Sequence, residues 1–150
     1  MDLAADDRVD DGAARGGRQD AGARKKDVPG FIGNRLQHAL WREAISLVEH
    51  GICDAKTVDD VVKASFGRRL AVLGPIENAD QVGTDLTLAI HDVVLPAIEN
   101  RPGPSPYLQD LVANGKLGFK SGEGFQKWSP EQQAALRARV MRHLKAMRDT

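Results

Sequence analysis

The sequence is poor in cysteine, in aromatic residues and in net charge. Its 150 residues include one cysteine and 5% aromatic residues, and 21 Lys and Arg balance 21 Asp and Glu. Cys53 alone cannot form an internal disulfide, so an apolar core must hold the fold, for which the chain is long enough. The balanced charge argues against nucleic acid as the main partner, because phosphate binding requires a basic face.

Long apolar runs are also missing. No stretch approaches the roughly 18 apolar residues of a membrane span. The first three residues, Met1-Asp2-Leu3, lack the basic start and apolar stretch of a signal peptide. We therefore expect no membrane partner and a cytoplasmic location.

The first 23 residues differ in composition from the rest of the chain. Nineteen of them are Ala, Asp, Gly or Arg, and Leu3 and Val9 are the only larger aliphatic residues. Such a segment has too little apolar surface to offset the entropy of ordering, so we predict that residues 1–28 are a disordered tail and linker remnant. The alternative is an acidic or mixed-charge interaction arm.

Helical periodicity begins at Pro29 and predicts an all-α domain. Apolar residues recur every three or four positions in a first helix, which Pro29-Gly30 opens and Gly51 closes. They are Ile32, Leu36, Leu40, Ala44, Leu47 and Val48. A second helix follows from Thr57, which we expect to cap it in a box with Asp60.

Proline and glycine divide the rest of the chain. Gly74-Pro75 opens a third helical region, which Gly83 breaks in two. The second piece, residues 84–98, is apolar on most sides, so we expect it to be central and to kink or end at Pro96. A proline-rich loop, a short helix over 107–114 and a glycine-rich loop over 115–125 come next. Ser129 and Gln132 predict a capping box, with Pro130 as the first helical residue, for the last helix over residues 129–150. Its apolar stripe is Leu136, Val140, Leu144 and Met147.

Common catalytic and cofactor-binding motifs are absent. The sequence has no GxGxxG, Walker, HExxH, CxxC or GxSxG pattern, and its four histidines are scattered over the predicted helices. We predict no metal site, and no cofactor bound by this chain alone.

Two places nevertheless depart from ordinary helix composition. Gly33 and Asn34 lie in the opening turns of a long helix, where each is less favourable than alanine. In a functional role, Gly33 would allow close approach of another backbone or a ligand, and Asn34 would be part of a polar site. The alternative is that Gly33 is an ordinary helix-start glycine and the Asn34 amide is bonded to a nearby turn. The glycine-rich loop comes with three lysines, Lys116, Lys120 and Lys127, which would help to cradle a phosphate or would be solvated at a tight turn.

Several ordered blocks together resemble the C-terminal domain of the L-3-hydroxyacyl-CoA dehydrogenase family, the group that includes 3-hydroxybutyryl-CoA dehydrogenase. They cover residues 24 to about 128, and no single block would be specific. The blocks are Val28-Pro29-Gly30-Phe31-Ile32-Gly33-Asn34-Arg35-Leu36, Arg42-Glu43-Ala44, Glu49-His50-Gly51, Thr57-Val58-Asp59-Asp60, residues 74–85 and residues 115–125.

This resemblance implies a fold and a function. The fold would be the helical C-terminal domain that is similar to that of 6-phosphogluconate dehydrogenase, over residues 29–128. In the family, this domain closes the acyl-CoA site and forms the homodimer, while a Rossmann domain binds NAD and supplies a His–Glu pair as the base. The complete enzyme oxidises a 3-hydroxyacyl-CoA to the 3-ketoacyl-CoA in fatty-acid metabolism. Asn34 matches the family's catalytic asparagine, and Gly33, Asn34 and Arg35 would bind substrate.

The N-terminal segment departs from the family pattern. About 28 residues cannot build a Rossmann half, so we expect the isolated chain to be inactive. The chain would be part of a dehydrogenase that needs a Rossmann domain in cis or in trans, a freestanding dimerisation module, or a small acyl-CoA-binding protein. The codons of Ala, Asp, Gly and Arg are GC-rich, so we expect that residues 1–23 are translated upstream of a lost or frameshifted Rossmann domain.

Overall fold

The computed structural model describes residues 29–148, and within them it contains α-helices and short 3-10 helices but no strand. The prediction of an all-α domain is confirmed. The predicted disordered tail lies outside the described residues, as do the last two residues of the predicted C-terminal helix. The helices are α1 (Phe31–Glu49), α2 (Ala55–Ala64), α3 (Pro75–Val82), α4 (Thr84–Val94), α5 (Pro106–Ala113) and α6 (Pro130–Arg148).

The long helix α1 ends where the sequence predicts. Gly51 has φ +67°, a conformation that glycine adopts without strain. Its N–H donates to Val48 O at 3.0 Å, and Ile52 N–H donates to Leu47 O at 3.0 Å. These two bonds form a Schellman motif and satisfy carbonyls that the helix end would leave unpaired.

The start of α2 corrects one prediction. The helix begins at Ala55, two residues before Thr57, and its cap is Asp54. The Asp54 carboxylate accepts from the Thr57 N–H at 2.7 Å, which places Thr57 inside the first turn. Asp60 instead pairs with Lys56 and Lys63 along the helix surface. An aspartate is as good a cap as threonine, and here it precedes threonine in the chain.

Helices α3 and α4 are separated by Gly83, as predicted, at φ +105°. α4 ends at Val94 and a 3-10 turn over Leu95–Ala97 contains Pro96, in agreement with the expected break. The prediction that this helix is central is wrong for the single chain. No Cα atom of α4 lies within 8 Å of one in α1, and Leu88 and Val93 are 63% and 74% exposed.

The small core lies where α1 packs against α2 and α5. Leu111 of α5, at 7% exposure, is the one buried apolar residue in the described part of the chain.

The start of α6 has the predicted capping box. Gln132 N–H donates to Ser129 Oγ at 3.2 Å, and Ser129 N–H donates to Gln132 Oε1 at 2.8 Å.

Candidate functional site

The first turn of α1 begins from a strained backbone. Gly30 has φ +85° and Phe31 has φ +47°, an uncommon conformation for a residue with a side chain. Arg35 reaches back from the helix, and its Nη1 donates to Pro29 O at 3.4 Å. Strain of this kind persists where the surroundings hold it, and it is frequent at binding sites. Nothing in the sequence pattern predicts it.

The three predicted site residues lie together on this exposed end of α1. A Cβ atom added at Gly33 would have no heavy atom within 4 Å. Gly33, Asn34 and Arg35 are all exposed, and across residues 29–148 the Asn34 side chain has no hydrogen-bond partner. The locally bonded amide, one of the two alternatives for Asn34, is therefore not what the described residues form. The amide is available to a group from another domain, another chain or a ligand.

A cavity of about 710 Å³ extends from Arg35 along α1 to the proline-rich loop. On its α1 side, the ring of His38 packs edge to face on Trp41, with centroids 5.0 Å apart. On its far side lies the loop of residues 101–105. The cavity thus connects the predicted site residue Arg35 to a second group of polar side chains.

That group is an ion cluster of Glu49, Glu99 and Arg101. Arg101 Nη2 lies 2.6 Å from Glu49 Oε2, and its Nε donates to Glu99 Oε2 at 2.8 Å. The Arg101 backbone N–H donates to Glu99 Oε1 at 2.6 Å, and Ser105 Oγ donates to Glu49 Oε2 at 3.1 Å. The two carboxylates are only 16% and 10% exposed. The cluster fixes the proline-rich loop against α1.

The cluster also shifts the acidity of its members. Hydrogen bonds from Arg101 lower the pKa of Glu99 to about 2, below its ordinary value of 4.5. Arg101 also lowers the pKa of Glu49, and Glu99 in turn raises the pKa of Arg101. All three groups therefore stay charged at neutral pH. Charged groups locked in mutual contact are suited to positioning a loop rather than to proton transfer.

No pattern in the sequence predicts this cluster. Glu49 and Arg101 are 52 residues apart, and periodicity assigns Glu49 only to the polar side of α1. The weak available signal was an arginine placed directly before a run of prolines. A loop of that composition has few backbone N–H groups to hold it, so a side chain has to do so.

The glycine-rich loop folds on itself. Gly118 N–H donates to Glu123 O at 2.8 Å, Gly124 N–H donates to Gln126 O at 2.9 Å, and Leu117 N–H donates to Ser121 Oγ at 2.8 Å. Because these three N–H groups are paired internally, they are not available to a phosphate. Lys116 also pairs with Glu123 at 3.0 Å. The tight-turn alternative fits this geometry.

This loop closes a second, apolar cavity of about 600 Å³ against α1, α2 and α5. The indole of Trp41, together with Val58, Leu111 and Phe125, contributes to its walls. Within residues 29–148, no group of three His, Cys, Asp or Glu side chains is placed to hold a metal ion. None of the helices described is both long and apolar enough to cross a membrane.

A family model described as the 3-hydroxyacyl-CoA dehydrogenase C-terminal domain matches residues 30–128. The match begins at the strained turn, includes Gly33, Asn34 and Arg35, and ends just before α6. The order of blocks noted in the sequence is thereby confirmed as a family resemblance.

Individual relatives agree with this match. The chain is 40% identical over 124 residues to 5-formyl-3-hydroxy-2-methylpyridine 4-carboxylate 5-dehydrogenase of Mesorhizobium japonicum, covering 83% of the chain and 40% of the relative. It is 42% identical over 105 residues to human mitochondrial hydroxyacyl-coenzyme A dehydrogenase, covering 69% and 32%. It is 37% identical over 103 residues to a probable 3-hydroxybutyryl-CoA dehydrogenase of Deinococcus radiodurans, covering 68% and 36%.

A solved structure is also similar. It is a crystal structure of the 5-formyl-3-hydroxy-2-methylpyridine 4-carboxylic acid 5-dehydrogenase, described as an NAD+ dependent dismutase. It matches with a TM-score of 0.78 at 40% identity, over 83% of this chain and 40% of that one. The chain therefore spans well under half the length of each of these relatives.

Proposed function

Because this chain belongs to the 3-hydroxyacyl-CoA dehydrogenase family, as its C-terminal domain, we propose that it closes the substrate site and forms the dimer of an NAD-dependent enzyme. That enzyme would oxidise a 3-hydroxyacyl-CoA to the 3-ketoacyl-CoA in fatty-acid metabolism. The observation that carries the proposal is the placement of Asn34. Its amide lies exposed on the first turns of α1, within the family match and without a partner in the described residues.

The proposed role of Asn34 follows from amide chemistry. Its Nδ2–H₂ donates and its Oδ1 accepts, so it can hold a substrate oxygen or the ring N–H of an imidazole. Such a group accelerates a reaction by fixing geometry and by stabilising charge that develops on oxygen. Arg35 and the cavity beside it would accept the part of the substrate that extends along α1. Gly33 would leave space for the approach.

NAD does not fit the residues described. A dinucleotide site needs a strand, a glycine-rich turn and a helix N-terminus, and residues 29–148 contain no strand. The NAD site and the catalytic base would belong to a Rossmann domain, in cis or in trans. The isolated chain is therefore proposed to be inactive.

Dimerisation is supported by the apolar surface of the single chain. Six larger aliphatic residues from α4 and its 3-10 extension are between 44% and 74% exposed. They are Leu86, Leu88, Ile90, Val93, Val94 and Leu95. An exposed patch of this kind marks an interaction surface. Sedimentation at tens of micromolar, where an interface of standard size associates, should show a homodimer.

A second candidate substrate is a substituted pyridine carboxylate. The M. japonicum relative named for such a substrate matches over 83% of the chain, against 69% for the human hydroxyacyl-CoA dehydrogenase, and its structure superposes well. The identities of 40% and 42% do not separate the two candidates.

Joined enzymes test both candidates. Residues 24–150 would follow the part of the D. radiodurans relative, or of the M. japonicum relative, that precedes its matching domain. The change in NADH concentration would then be measured with 3-hydroxybutyryl-CoA and with 5-formyl-3-hydroxy-2-methylpyridine 4-carboxylate as substrates.

We expect turnover of the CoA substrate by the D. radiodurans joined enzyme, and its loss in the Asn34→Ala variant. Turnover of the pyridine substrate alone would favour the second candidate. Folded joined enzymes without turnover would contradict both, and would favour a dimerisation module or an acyl-CoA-binding protein. Calorimetry with 3-hydroxybutyryl-CoA separates those two.

A further inference from the structure

Helix α6 lies beyond the family match, which ends at residue 128. Its first half is seated on the glycine-rich loop. Gln133 Nε2 donates to Phe119 O at 3.2 Å, and the guanidinium of Arg137 lies 5.3 Å from the centre of the Phe119 ring. Its second half leaves the loop and exposes apolar side chains. Val140, Met141 and Leu144 are 46%, 54% and 55% exposed.

The charge of α6 is strongly positive. It contains five Lys and Arg residues and a single acidic residue, Glu131. With 3.6 residues per turn, Arg139 and Arg148 flank the stripe formed by Leu136, Val140 and Leu144 on its two sides. Arg142 and Lys145 project from the far side of the helix. The stripe, which is exposed at Val140 and Leu144, is thus bordered by positive charge.

The pair α3 and α4 has the opposite character. Residues 75–94 contain four acidic residues and no Lys or Arg. On α4, Leu86, Ile90 and Val93 share one side and are 51%, 45% and 74% exposed. Asp85 and Asp92 lie along one edge of that side. The opposite edge faces α3, since Thr87 Oγ1 donates to Ala79 O at 3.5 Å.

These two surfaces do not meet within one chain. No Cα atom of α6 lies within 8 Å of one in α3 or α4. We propose that the apolar stripe of α6 and its flanking arginines in one protomer pack on the acidic, apolar side of α4 in a second copy of this chain. Two-fold symmetry makes the contact reciprocal, so that each α6 meets the other protomer's α4. This inference rests on the proposed dimerisation and specifies its contact.

A second copy is favoured over an acidic membrane or a nucleic acid. A basic amphipathic helix alone suits any of these partners. Here the same chain presents an apolar surface of matching kind with the opposite charge. Complementary potentials of this sort favour the correct pairing and oppose like-charge pairings.

Reversing the charges tests the pairing in the full chain. The α6 variant is Arg139→Glu with Arg148→Glu, and the α4 variant is Asp85→Lys with Asp92→Lys. The control, Arg142→Glu with Lys145→Glu, has the same charge change as the α6 variant but on the far side of the helix. Circular dichroism checks helicity, and sedimentation velocity at low salt gives the dimer Kd.

We expect each of the first two variants to raise the dimer Kd by about tenfold or more, since each brings like charges together. The control should stay within about threefold of wild type. An equimolar mixture of the α6 and α4 variants should return to within about threefold of wild type, because both reciprocal contacts then join opposite charges. The weakening should diminish at high salt.

Each other outcome overturns the inference in a distinguishable way. If the wild type is a dimer and the α6 variant weakens it no more than the control does, the proposed dimerisation stands but α6 has no role in it. If both variants dissociate and mixing them does not restore the dimer, α6 and α4 do not pair with each other across the interface. A monomeric wild type contradicts the proposed dimer as well. If the wild-type chain forms no dimer but binds to anionic vesicles, α6 would be assigned to a membrane surface.

Discussion

Replacing Gly33 and Asn34 with alanine should change stability and activity in opposite directions. Both residues are exposed on the first two turns of α1, and Gly33 has open space where a Cβ would go. Asn34 gives up no hydrogen bond within residues 29–148 when it is truncated. The two substitutions therefore remove no side-chain hydrogen bond that the described residues form.

The expected gain in stability comes from helix propensity. In a helix interior, alanine is more favourable than glycine by about 1 kcal/mol and than asparagine by about 0.7 kcal/mol. Positions near a helix start contribute less, so the double variant should gain about 1 kcal/mol. For a domain of this size, that gain raises the melting temperature by about 4 °C.

The expected loss of activity comes from the proposed site. In the joined enzyme, Asn34→Ala should lower turnover by about 10² or more, the usual effect of removing one donor from an active site. Gly33→Ala should lower turnover if the substrate or the Rossmann domain approaches α1 closely. Thermal unfolding of the isolated chain and steady-state kinetics of the joined enzyme measure the two effects on the same substitutions.

The refuting results are specific. Unchanged turnover for Asn34→Ala would remove its catalytic role. A destabilisation of 2 kcal/mol or more, the scale of a lost buried contact, would show that Asn34 supports the fold instead.

Two further predictions concern the ion cluster of Glu49, Glu99 and Arg101 and the glycine-rich loop. Arg101→Met should lower the melting temperature at pH 7. The difference from wild type should shrink as the pH falls from 4.5 toward about 2. The reason is that ionised Glu99, with its pKa lowered by Arg101, stabilises the fold above its ordinary pKa of 4.5, and this stabilisation is lost when Glu99 is protonated. The exposed pair of Lys63 is the control, since Lys63→Met should change the melting temperature little at either pH; an equal effect of Arg101→Met at pH 7 and pH 2 would contradict the assignment. Gly124→Ala should destabilise the chain by about 1 to 3 kcal/mol in denaturant titrations, because its Cβ would lie 2.9 Å from Gly118 Cα, and a neutral effect would show that the loop relaxes at little cost.

Local signals predicted most of the helix boundaries. Gly51, Gly83 and Ser129 act at helix ends in the way that their types require, because capping depends on a few neighbouring residues. The cap of α2 was missed because Asp54 and Thr57 are both competent caps, and only the actual hydrogen bond distinguishes them.

Contacts between residues far apart in the chain could not be predicted from the sequence. The ion cluster joins residues about fifty positions apart, and no periodic signal connects Glu49 with Arg101. The expectation of a central α4 followed from its apolar composition, but composition does not tell whether the covering surface is in the same chain. The assignment of Asn34 came from the family resemblance, since helix pattern alone left a structural role open.

The exposed α4 and the exposed Asn34 have a common physical origin. Ordering a residue costs about 1 to 2 kcal/mol of backbone entropy, which burial of apolar surface must offset. Within residues 29–148, Leu111 alone among apolar residues is buried, so the single chain leaves much of that burial to its neighbours. A second copy would cover α4, and a Rossmann domain would face the start of α1. If both contacts form, the same assembly that completes the core also places Asn34 in the substrate site, so dissociating the dimer should weaken activity and stability together.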